Sequence, residues 1–250
     1  MPGPKYVGLE RAVGQKIVDV RRRGKFLVLP LSLGDDLIVH LGMTGAVSAE
    51  PFEKHVRVKL TLDEGPNPGL YFQDVRRFGR FLVVPSGLYE TLPTLHKMGP
   101  EPLEPDFTGA GFYRALQASA APVKPYLLSQ RPVSGVGNIY ADEALWAAKL
   151  HPLVPAKGVS RPKAARLAAA IREVLLASIA AKGTTLQDYR TVNGEVGGYL
   201  AHLKVYAHEG EPCPRCGRHI SKTVVAGRGT HFCRYCQRLP VGSALGSRAG

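Results

Sequence analysis

The first third of the chain alternates short apolar runs with turn residues. The runs are KFLVLPL (25–31), DLIVHLGM (36–43), HVRVKLTL (55–62) and GLYFQD (69–74), and dipeptides such as Gly34-Asp35 separate them. Apolar segments of this length and spacing are typical of antiparallel strands in a sandwich or barrel. The pattern therefore predicts a β-rich domain that occupies residues 1–92.

The middle of the chain follows a helical period instead. The segment 161–181 is rich in alanine, its leucine and isoleucine residues share one helical face, and Gly183 follows it. A glycine directly after a periodic segment is a typical helix C-terminal cap. We predict a helical domain over residues 107–205, which a proline-rich linker over 93–106 separates from the β-rich domain.

The remaining segments carry turn residues and cysteines. A polar, glycine-rich stretch predicts a loop over 184–206, and the four cysteines of the chain all fall within a separate segment, 206–240. We expect the last residues, 241–250, to form a disordered tail.

The charge balance narrows the choice of partner. The chain has 33 lysine and arginine residues against 20 acidic ones, a net charge of +13 and a pI near 9.8. Such an excess favours a polyanionic partner, and nucleic acid is preferred to membrane because no strongly basic amphipathic helix is present. No apolar run reaches the roughly 18–20 residues of a membrane span, and the start lacks a signal-peptide pattern, so we expect a cytoplasmic protein.

The cysteines form two closely spaced pairs. Cys213-Pro-Arg-Cys216 and Cys233-Arg-Tyr-Cys236 are separated by sixteen residues, of which 220–232 have the pattern of a β-hairpin. Two such turns can direct four thiolates at one Zn²⁺ ion, whereas the alternative of two disulfides fits poorly in a chain without a secretion signal. We predict one zinc ion with a structural role, because four thiolates leave no open coordination position.

A glycine-rich turn lies within the helical domain. Residues 124–130 and the segment from Asn138 onward have helical patterns, and Gly135 and Gly137 lie between them. Exposed amides of such a turn, with a helix N-terminus capped by Asn138, suit a phosphate group. Taken alone, the GVGN motif fits a plain helix turn equally well.

Several of these motifs occur together in a familiar order. HLGMTG (40–45), RRFG (76–79), MGPEPL (98–103), GVGNIYADE (135–143) and the terminal CPRC…GRGTHFCRYCQ resemble the formamidopyrimidine-DNA glycosylase family, over nearly the whole chain. The resemblance implies an α+β fold: an N-terminal antiparallel β-sandwich domain, here incomplete, a helical domain with a helix–two-turn–helix element, and a β-hairpin zinc finger.

The resemblance also implies which residues contact DNA. Met43, Arg76 and Phe78 match the trio that enters the duplex and fills the gap left by a flipped nucleotide. An apolar thioether and an aromatic ring can replace lost stacking, and an arginine can bond the orphaned base.

Further matches concern the DNA backbone. Asn138 and His55 match phosphate contacts, and Lys124 lies where the family often has a lysine near DNA. The segment 184–206 corresponds to a mobile loop that covers the damaged base in many family members.

The catalytic matches are less complete. Lys25 matches a lysine that assists β-elimination, and Arg228 matches an arginine that acts on phosphate during δ-elimination. The family begins Met-Pro-Glu-Leu-Pro-Glu, and the exposed proline amine attacks the sugar C1′ to form a Schiff base. This chain begins MPGP, so Pro2 is the candidate nucleophile without the adjacent glutamate.

The beginning of the chain departs from the family pattern. The family's first helix and first strand, roughly 30–40 residues, have no counterpart before Pro4. Three explanations remain open. The start of the chain is truncated or misassigned, the protein is a natural relative that binds damage without catalysis, or Pro2 reaches the site by another path.

Two functions follow from the sequence. The first is a DNA glycosylase and AP lyase that removes 8-oxoguanine and formamidopyrimidines from duplex DNA through a Schiff base, then β,δ-elimination. The alternative is a non-catalytic protein that binds damaged or abasic DNA, and a zinc-ribbon protein unrelated to repair is a third possibility. The expected partner is double-stranded DNA with an oxidised base or abasic site, with no membrane partner, and the chain is expected to be a monomer.

Overall fold

The computed structural model describes residues 5–63, 68–184 and 197–240, which fall into two compact units. The division between them lies between Lys97 and Met98, inside the predicted linker. Residues up to 97 form the N-terminal unit, and the helices and the cysteine segment together form the C-terminal unit. Pro2, the tail and most of the predicted loop lie outside the described residues.

Two antiparallel sheets build the N-terminal unit. The first has the strand order β1-β2-β3-β7 and the second has the order β4-β6-β5. The strands are β1 (Arg21–Arg23), β2 (Phe26–Pro30), β3 (Asp35–His40), β4 (Gly45–Ser48), β5 (Val56–Thr61), β6 (Gly69–Asp74) and β7 (Arg80–Pro85). A 3-10 turn (Leu9–Ala12) precedes them and a one-turn helix, α1 (Pro93–His96), follows.

One buried core joins the two sheets. Leu37 and Phe81 come from the first sheet, Val58 and Phe72 come from the second, and all four belong to the same apolar cluster. The rings of Phe72 and Phe81 lie 5.4 Å apart. Two sheets that share an inner face make a β-sandwich, as the sequence predicted.

Four helices form most of the C-terminal unit. They are α2 (Gly109–Gln117), α3 (Val123–Leu128), α4 (Asn138–Ala147) and α5 (Arg161–Ala180), with short 3-10 turns at Ala156–Gly158 and Tyr199–His202. Leu116, Leu127, Leu145 and Leu167 are completely or almost completely buried at their common core. None of the helices in the described ranges combines the length and hydropathy that a membrane span requires.

The cysteine segment contains the predicted hairpin. Strand β8 (Ser221–Val225) pairs with β9 (Arg228–Phe232), and Val225 lies opposite Arg228. The two residues between the strands, Ala226 and Gly227, have φ angles of 48° and 73°. Positive φ at both central residues defines the turn type that fits the natural twist of a two-residue hairpin.

The shared core of the sandwich yields a stability prediction. Replacing Phe72 by alanine removes a ring that is 1% exposed and contacts both sheets, so we expect a loss of about 3–5 kcal/mol in unfolding free energy. The matched control is Val18→Ala, whose side chain is 66% exposed and should change stability by less than about 0.5 kcal/mol. Urea titration followed by circular dichroism measures both, and equal losses would contradict this account of the core.

Candidate nucleic-acid interface and metal centre

Three side chains that the sequence predicted to enter DNA lie together in the N-terminal unit. Met43 is in the loop between β3 and β4, and Arg76 and Phe78 are in the loop between β6 and β7. Arg76 Nη1 is 3.8 Å from Met43 Sδ, and the guanidinium carbon is 5.0 Å from the Phe78 ring centre. We call this group the Met43 cluster.

The Met43 cluster exposes apolar surface to solvent. Met43 is 57% exposed and Phe78 is 48% exposed, although both are large apolar side chains. The arginine between them adds a positive charge that can contact a base or a phosphate. An exposed thioether and an exposed ring beside a guanidinium form a surface suited to stacking between bases.

Close backbone contact holds the two loops of the Met43 cluster together. Gly42 has a φ of 69°, and a Cβ there would lie 2.7 Å from Gly79 N. A Cβ at Gly79 would lie 2.7 Å from the Phe72 ring and 2.9 Å from the carbonyl oxygen of His40. Both positions therefore require glycine, which explains this residue in the HLGM and RRFG motifs.

A buried carboxylate fixes the second loop. Asp74 is completely buried, and its Oδ2 accepts hydrogen bonds from Gly79 N at 2.7 Å and from the Tyr6 hydroxyl at 2.9 Å. Burial and the hydrogen bond to Asp74 raise the pKa of Tyr6 to about 12, so this hydroxyl remains a donor at neutral pH. Apart from its place just before the RRFG motif, no pattern in the sequence points to Asp74.

A buried histidine fixes the first loop. His40 Nδ1 accepts a hydrogen bond from Gly42 N at 3.0 Å. Burial and the nearby charges of Lys25 and Arg80 lower the pKa of His40 to about 4, so the ring is neutral at physiological pH. Because Nδ1 accepts, the ring proton is on Nε2. The HLGM motif contains His40, but the motif alone does not indicate this supporting role.

Lys25 and His55 lie at two other turns of this unit. Lys25 is exposed in the turn between β1 and β2 and lies near His40. His55 is exposed with a φ of 64°, and its carbonyl oxygen accepts a hydrogen bond from Asp74 N at 3.1 Å. Both predicted residues are therefore close to the groups that support the Met43 cluster.

In the C-terminal unit the glycine-rich turn leads directly into α4. The helix cap is Gly137, not Asn138 as the sequence suggested, since Asn138 is the first residue of α4. The Asn138 amide instead donates a hydrogen bond from Nδ2 to the carbonyl oxygen of Gly229 at 3.0 Å. Asn138 thus joins the turn to the hairpin that carries Arg228, which is itself exposed.

Lys124, which the resemblance placed near DNA, has its side chain in the interior of the C-terminal unit. Its side chain is completely buried, and its Nζ lies 2.7 Å from Asp142 Oδ1. The same Nζ donates hydrogen bonds to Thr230 Oγ1 at 2.8 Å and to the Gly229 carbonyl oxygen at 2.9 Å. Lys124 therefore contacts the hairpin and not the solvent.

A second carboxylate of α4 holds the segment that enters the cysteine region. Glu143 accepts hydrogen bonds from the backbone amides of Lys204, Val205 and Tyr206, at 2.9, 2.9 and 2.8 Å. Burial raises the pKa of Glu143, and these three hydrogen bonds oppose the shift. The GVGNIYADE motif includes Asp142 and Glu143, but its resemblance assigned a role to neither.

The four cysteines converge as their spacing predicted. Their sulfur atoms all lie within 4.8 Å of one another, and Cys216 Sγ is 3.5 Å from Cys233 Sγ. A tetrahedral centre with Zn–S bonds of about 2.3 Å places its sulfurs about 3.8 Å apart, so the cluster has the dimensions of a zinc site. The cysteines and their zinc ion form a structural centre without an open position.

The protonation of these thiols also fits a cation. Burial raises the pKa of Cys213, but hydrogen bonds from the Trp146 indole and from backbone amides outweigh it and lower the pKa to about 6. Burial and the adjacent Cys216 and Cys233 thiols raise the pKa of Cys236 to about 12. Four thiolates this close repel one another, and a divalent cation removes that penalty.

Three family models match the chain in order. The formamidopyrimidine-DNA glycosylase N-terminal domain matches residues 5–81, the formamidopyrimidine-DNA glycosylase H2TH domain matches 98–190, and the zinc finger found in FPG and IleRS matches 210–239. The order is that of the β-sandwich, the helices and the cysteine hairpin.

Individual relatives match nearly the whole chain. Formamidopyrimidine-DNA glycosylase of Thermus thermophilus is 49% identical over 93% of this chain and 86% of its own length. A crystal structure of the T. thermophilus protein superposes with a TM-score of 0.86 at 48% identity, covering 93% of this chain and 87% of that one. A Lactococcus lactis Fpg in complex with DNA containing an abasic site is 36% identical, with a TM-score of 0.78 and coverage of 90% and 83%.

These matches define the class as a DNA glycosylase with a β-sandwich, a helical unit and a zinc finger. The chain belongs to the formamidopyrimidine-DNA glycosylase family.

The metal centre yields a direct prediction. We expect Cys233→Ser to lose its zinc, because serine is a poor zinc ligand and Cys233 is completely buried in the cluster. Atomic absorption of the purified protein measures the metal content. Arg234→Ala is the control, since it changes an exposed neighbour and leaves all four sulfurs in place. Retention of stoichiometric zinc by Cys233→Ser would contradict the four-cysteine assignment.

The contact between the loops yields another prediction. A Cβ at Gly79 has no room beside Phe72, so Gly79→Ala should cost about 1–3 kcal/mol of stability and displace Phe78. Gly109→Ala is the control, because its Cβ would meet Ala165 at an ordinary 3.7 Å. Urea unfolding and titration with duplex DNA containing an abasic-site analogue measure the two effects. If Gly79→Ala matches the wild type in both stability and DNA affinity, the close contact at Gly79 does not position the two loops.

Proposed function

We propose that this chain excises oxidised purines, 8-oxoguanine and formamidopyrimidines, from duplex DNA and then cleaves the strand at the resulting abasic site. The observation that carries the proposal is the Met43 cluster, in which the exposed guanidinium of Arg76 lies 3.8 Å from the thioether sulfur and 5.0 Å from the aromatic ring centre. Family membership supports the same chemistry.

The Met43 cluster would act on the base left behind by a flipped nucleotide. Extruding a nucleotide breaks stacking and pairing, which costs a few kcal/mol, and inserted side chains recover part of that loss. Met43 and Phe78 supply apolar contact in the gap, while the Arg76 guanidinium supplies donors for the unpaired base.

The chemistry we propose begins with an amine that attacks the sugar C1′. The damaged base leaves with a proton. The bond between C1′ and the ring oxygen then breaks, which leaves that oxygen protonated as a hydroxyl on C4′ and a Schiff base between C1′ and the amine. The Schiff base is an electron sink, so removal of a C2′ proton breaks the bond to the 3′ phosphate, and a second elimination breaks the bond to the 5′ phosphate. Pro2 is the candidate amine.

Two side chains would assist the eliminations. Lys25 is exposed near the neutral His40 and would assist β-elimination. Arg228 lies at the turn of the zinc-finger hairpin and would stabilise the departing phosphate during δ-elimination.

The remaining predicted contacts concern the DNA backbone and the setting. His55 and the turn before Asn138 would bind phosphates, whereas the buried Lys124 would act indirectly through the hairpin. We propose a monomer that works on DNA in the bacterial cytoplasm, a setting consistent with its charge of +13.

Borohydride trapping tests the central step. Reduction of a Schiff base joins protein and abasic-site DNA covalently, so we expect a shifted band on a denaturing gel and, after proteolysis, a DNA adduct on the peptide that begins with Pro2. Abasic-site binding without any adduct would overturn the enzyme proposal and support a non-catalytic damage-binding protein. An adduct that maps to a lysine of an internal peptide would move the nucleophile to another amine.

The Met43 cluster has its own test. Met43→Ala should weaken binding to abasic-site duplex by about 1–3 kcal/mol, about 5- to 160-fold in Kd, and leave binding to intact duplex unchanged. Leu33→Ala is the matched control, since Leu33 is an exposed apolar loop residue of the same unit. Equal weakening on both duplexes would assign Met43 to general DNA binding and not to lesion recognition.

A further inference from the structure

The peptide that follows Arg228 is held by side chains from two helices. The Gly229 carbonyl oxygen accepts hydrogen bonds from Lys124 Nζ of α3 and from Asn138 Nδ2 of α4. In the next residue, the Thr230 hydroxyl oxygen accepts a further hydrogen bond from Lys124 Nζ. The hairpin turn therefore does not depend on its own strand pairing alone.

Asp142 joins the same peptide to α4. Its Oδ1 lies 2.7 Å from Lys124 Nζ, and its Oδ2 accepts a hydrogen bond from His231 N at 2.9 Å. Lys124, Asp142 and Thr230 are all completely or almost completely buried. We call Lys124, Asp142 and their contacts to residues 229–231 the Asp142 network.

A buried ion pair is a poor means of gaining stability. Two charges lose their hydration on burial, and well-packed apolar residues of the same volume often give equal or greater stability. Burial lowers the pKa of Lys124, the charge of Asp142 opposes this, and the nearby Arg228 lowers it further. We therefore assign the ion pair a role in fixing positions and not in adding stability, since each partner also makes hydrogen bonds to defined backbone atoms of the hairpin.

We propose that Lys124 and Asp142 are positioning residues that set where the Arg228 side chain lies relative to the Asn138 turn. The proposal rests on the proposed function, because Arg228 and Asn138 are the two phosphate-directed residues of this unit. The Asp142 network holds Gly229, the residue next to Arg228, and the Gly229 carbonyl oxygen also accepts a hydrogen bond from Asn138, the first residue of α4. A phosphate held at the helix turn then meets the guanidinium at a constant distance.

The zinc centre and the Asp142 network act at opposite ends of the hairpin. Zinc fixes the base of the hairpin through Cys213, Cys216, Cys233 and Cys236, while the turn lies at the opposite end of β8 and β9. At about 3.3 Å per residue, five-residue strands separate the two ends by roughly 16 Å. The Asp142 network therefore holds the hairpin at the end that lies away from the zinc centre.

Three variants test the proposal. Lys124→Met and Asp142→Asn each break the ion pair, and the double variant Lys124→Met with Asp142→Leu replaces it by apolar side chains. We expect both single variants to lower the melting temperature and the double variant to recover most of it. Lys222→Met, an exposed lysine of the same hairpin paired with Glu209, is the control.

The deciding measurement is the ratio of δ- to β-elimination products on duplex DNA with a preformed abasic site. We expect all three variants to lower this ratio about 10-fold or more, because a misplacement of about 1 Å can cost about 100-fold in rate. A merely structural role predicts that the ratio recovers together with the melting temperature in the double variant. That recovery, or an unchanged ratio in the single variants, would overturn the proposal.

A second measurement separates this proposal from the proposed function. Amide hydrogen exchange at residues 229–231 should become faster in the double variant and stay unchanged in Lys222→Met, with zinc content constant throughout. Unchanged exchange in the double variant would overturn the proposal even if the enzyme is active. If the wild-type protein gives no strand cleavage, the proposed enzymatic function is overturned. Faster exchange in the double variant would still support the structural coupling between the Asp142 network and the hairpin.

Discussion

The carboxylate of Asp142 is the contact on which the geometry of the C-terminal unit depends most. It accepts a hydrogen bond from the hairpin backbone and forms an ion pair with Lys124, which in turn donates to the hairpin turn. The adjacent Glu143 binds three consecutive amides of the segment that leads into the cysteine region. One short stretch of α4 thereby ties the helix turn, the hairpin and the approach to the zinc site into one body.

The N-terminal unit solves a similar problem by different means. Its Met43 cluster consists of exposed side chains on two loops, which would be mobile without support. The neutral His40 accepts a hydrogen bond from the backbone of one loop, and the buried Asp74 accepts one from the backbone of the other. Gly42 and Gly79 allow the backbones of the two loops to come into contact. In both units, buried polar groups place exposed groups that are suited to DNA.

The sequence predicted those features that depend on local pattern or on motif. The four cysteines, the 220–232 hairpin, α5 and the strands β2, β3, β5 and β6 all follow from spacing or periodicity. Strand β1 was missed because Arg21–Arg23 has no apolar pattern, and it pairs only at the sheet edge. Boundaries such as the helix cap at Gly137 depend on backbone angles that residue type alone does not determine.

Buried polar contacts were the hardest features to predict. The burial of Lys124 has no signal in the sequence, because lysine is rarely buried and its partner Asp142 lies on another helix. His40 and Asp74 form hydrogen bonds with groups that are remote in sequence or lie in tight turns. No rule of residue spacing predicts such contacts. The resemblance identified the motifs, whereas the contacts that support them required the three-dimensional structure.

Release of free 8-oxoguanine is the most direct measure of the central claim that this chain is a lesion-specific glycosylase. Enzyme in excess over duplex DNA with one 8-oxoguanine should liberate the free base, detected by mass spectrometry, and none should appear from the matched guanine duplex. Tight lesion binding with no released base, in protein that retains its zinc, would contradict the claim.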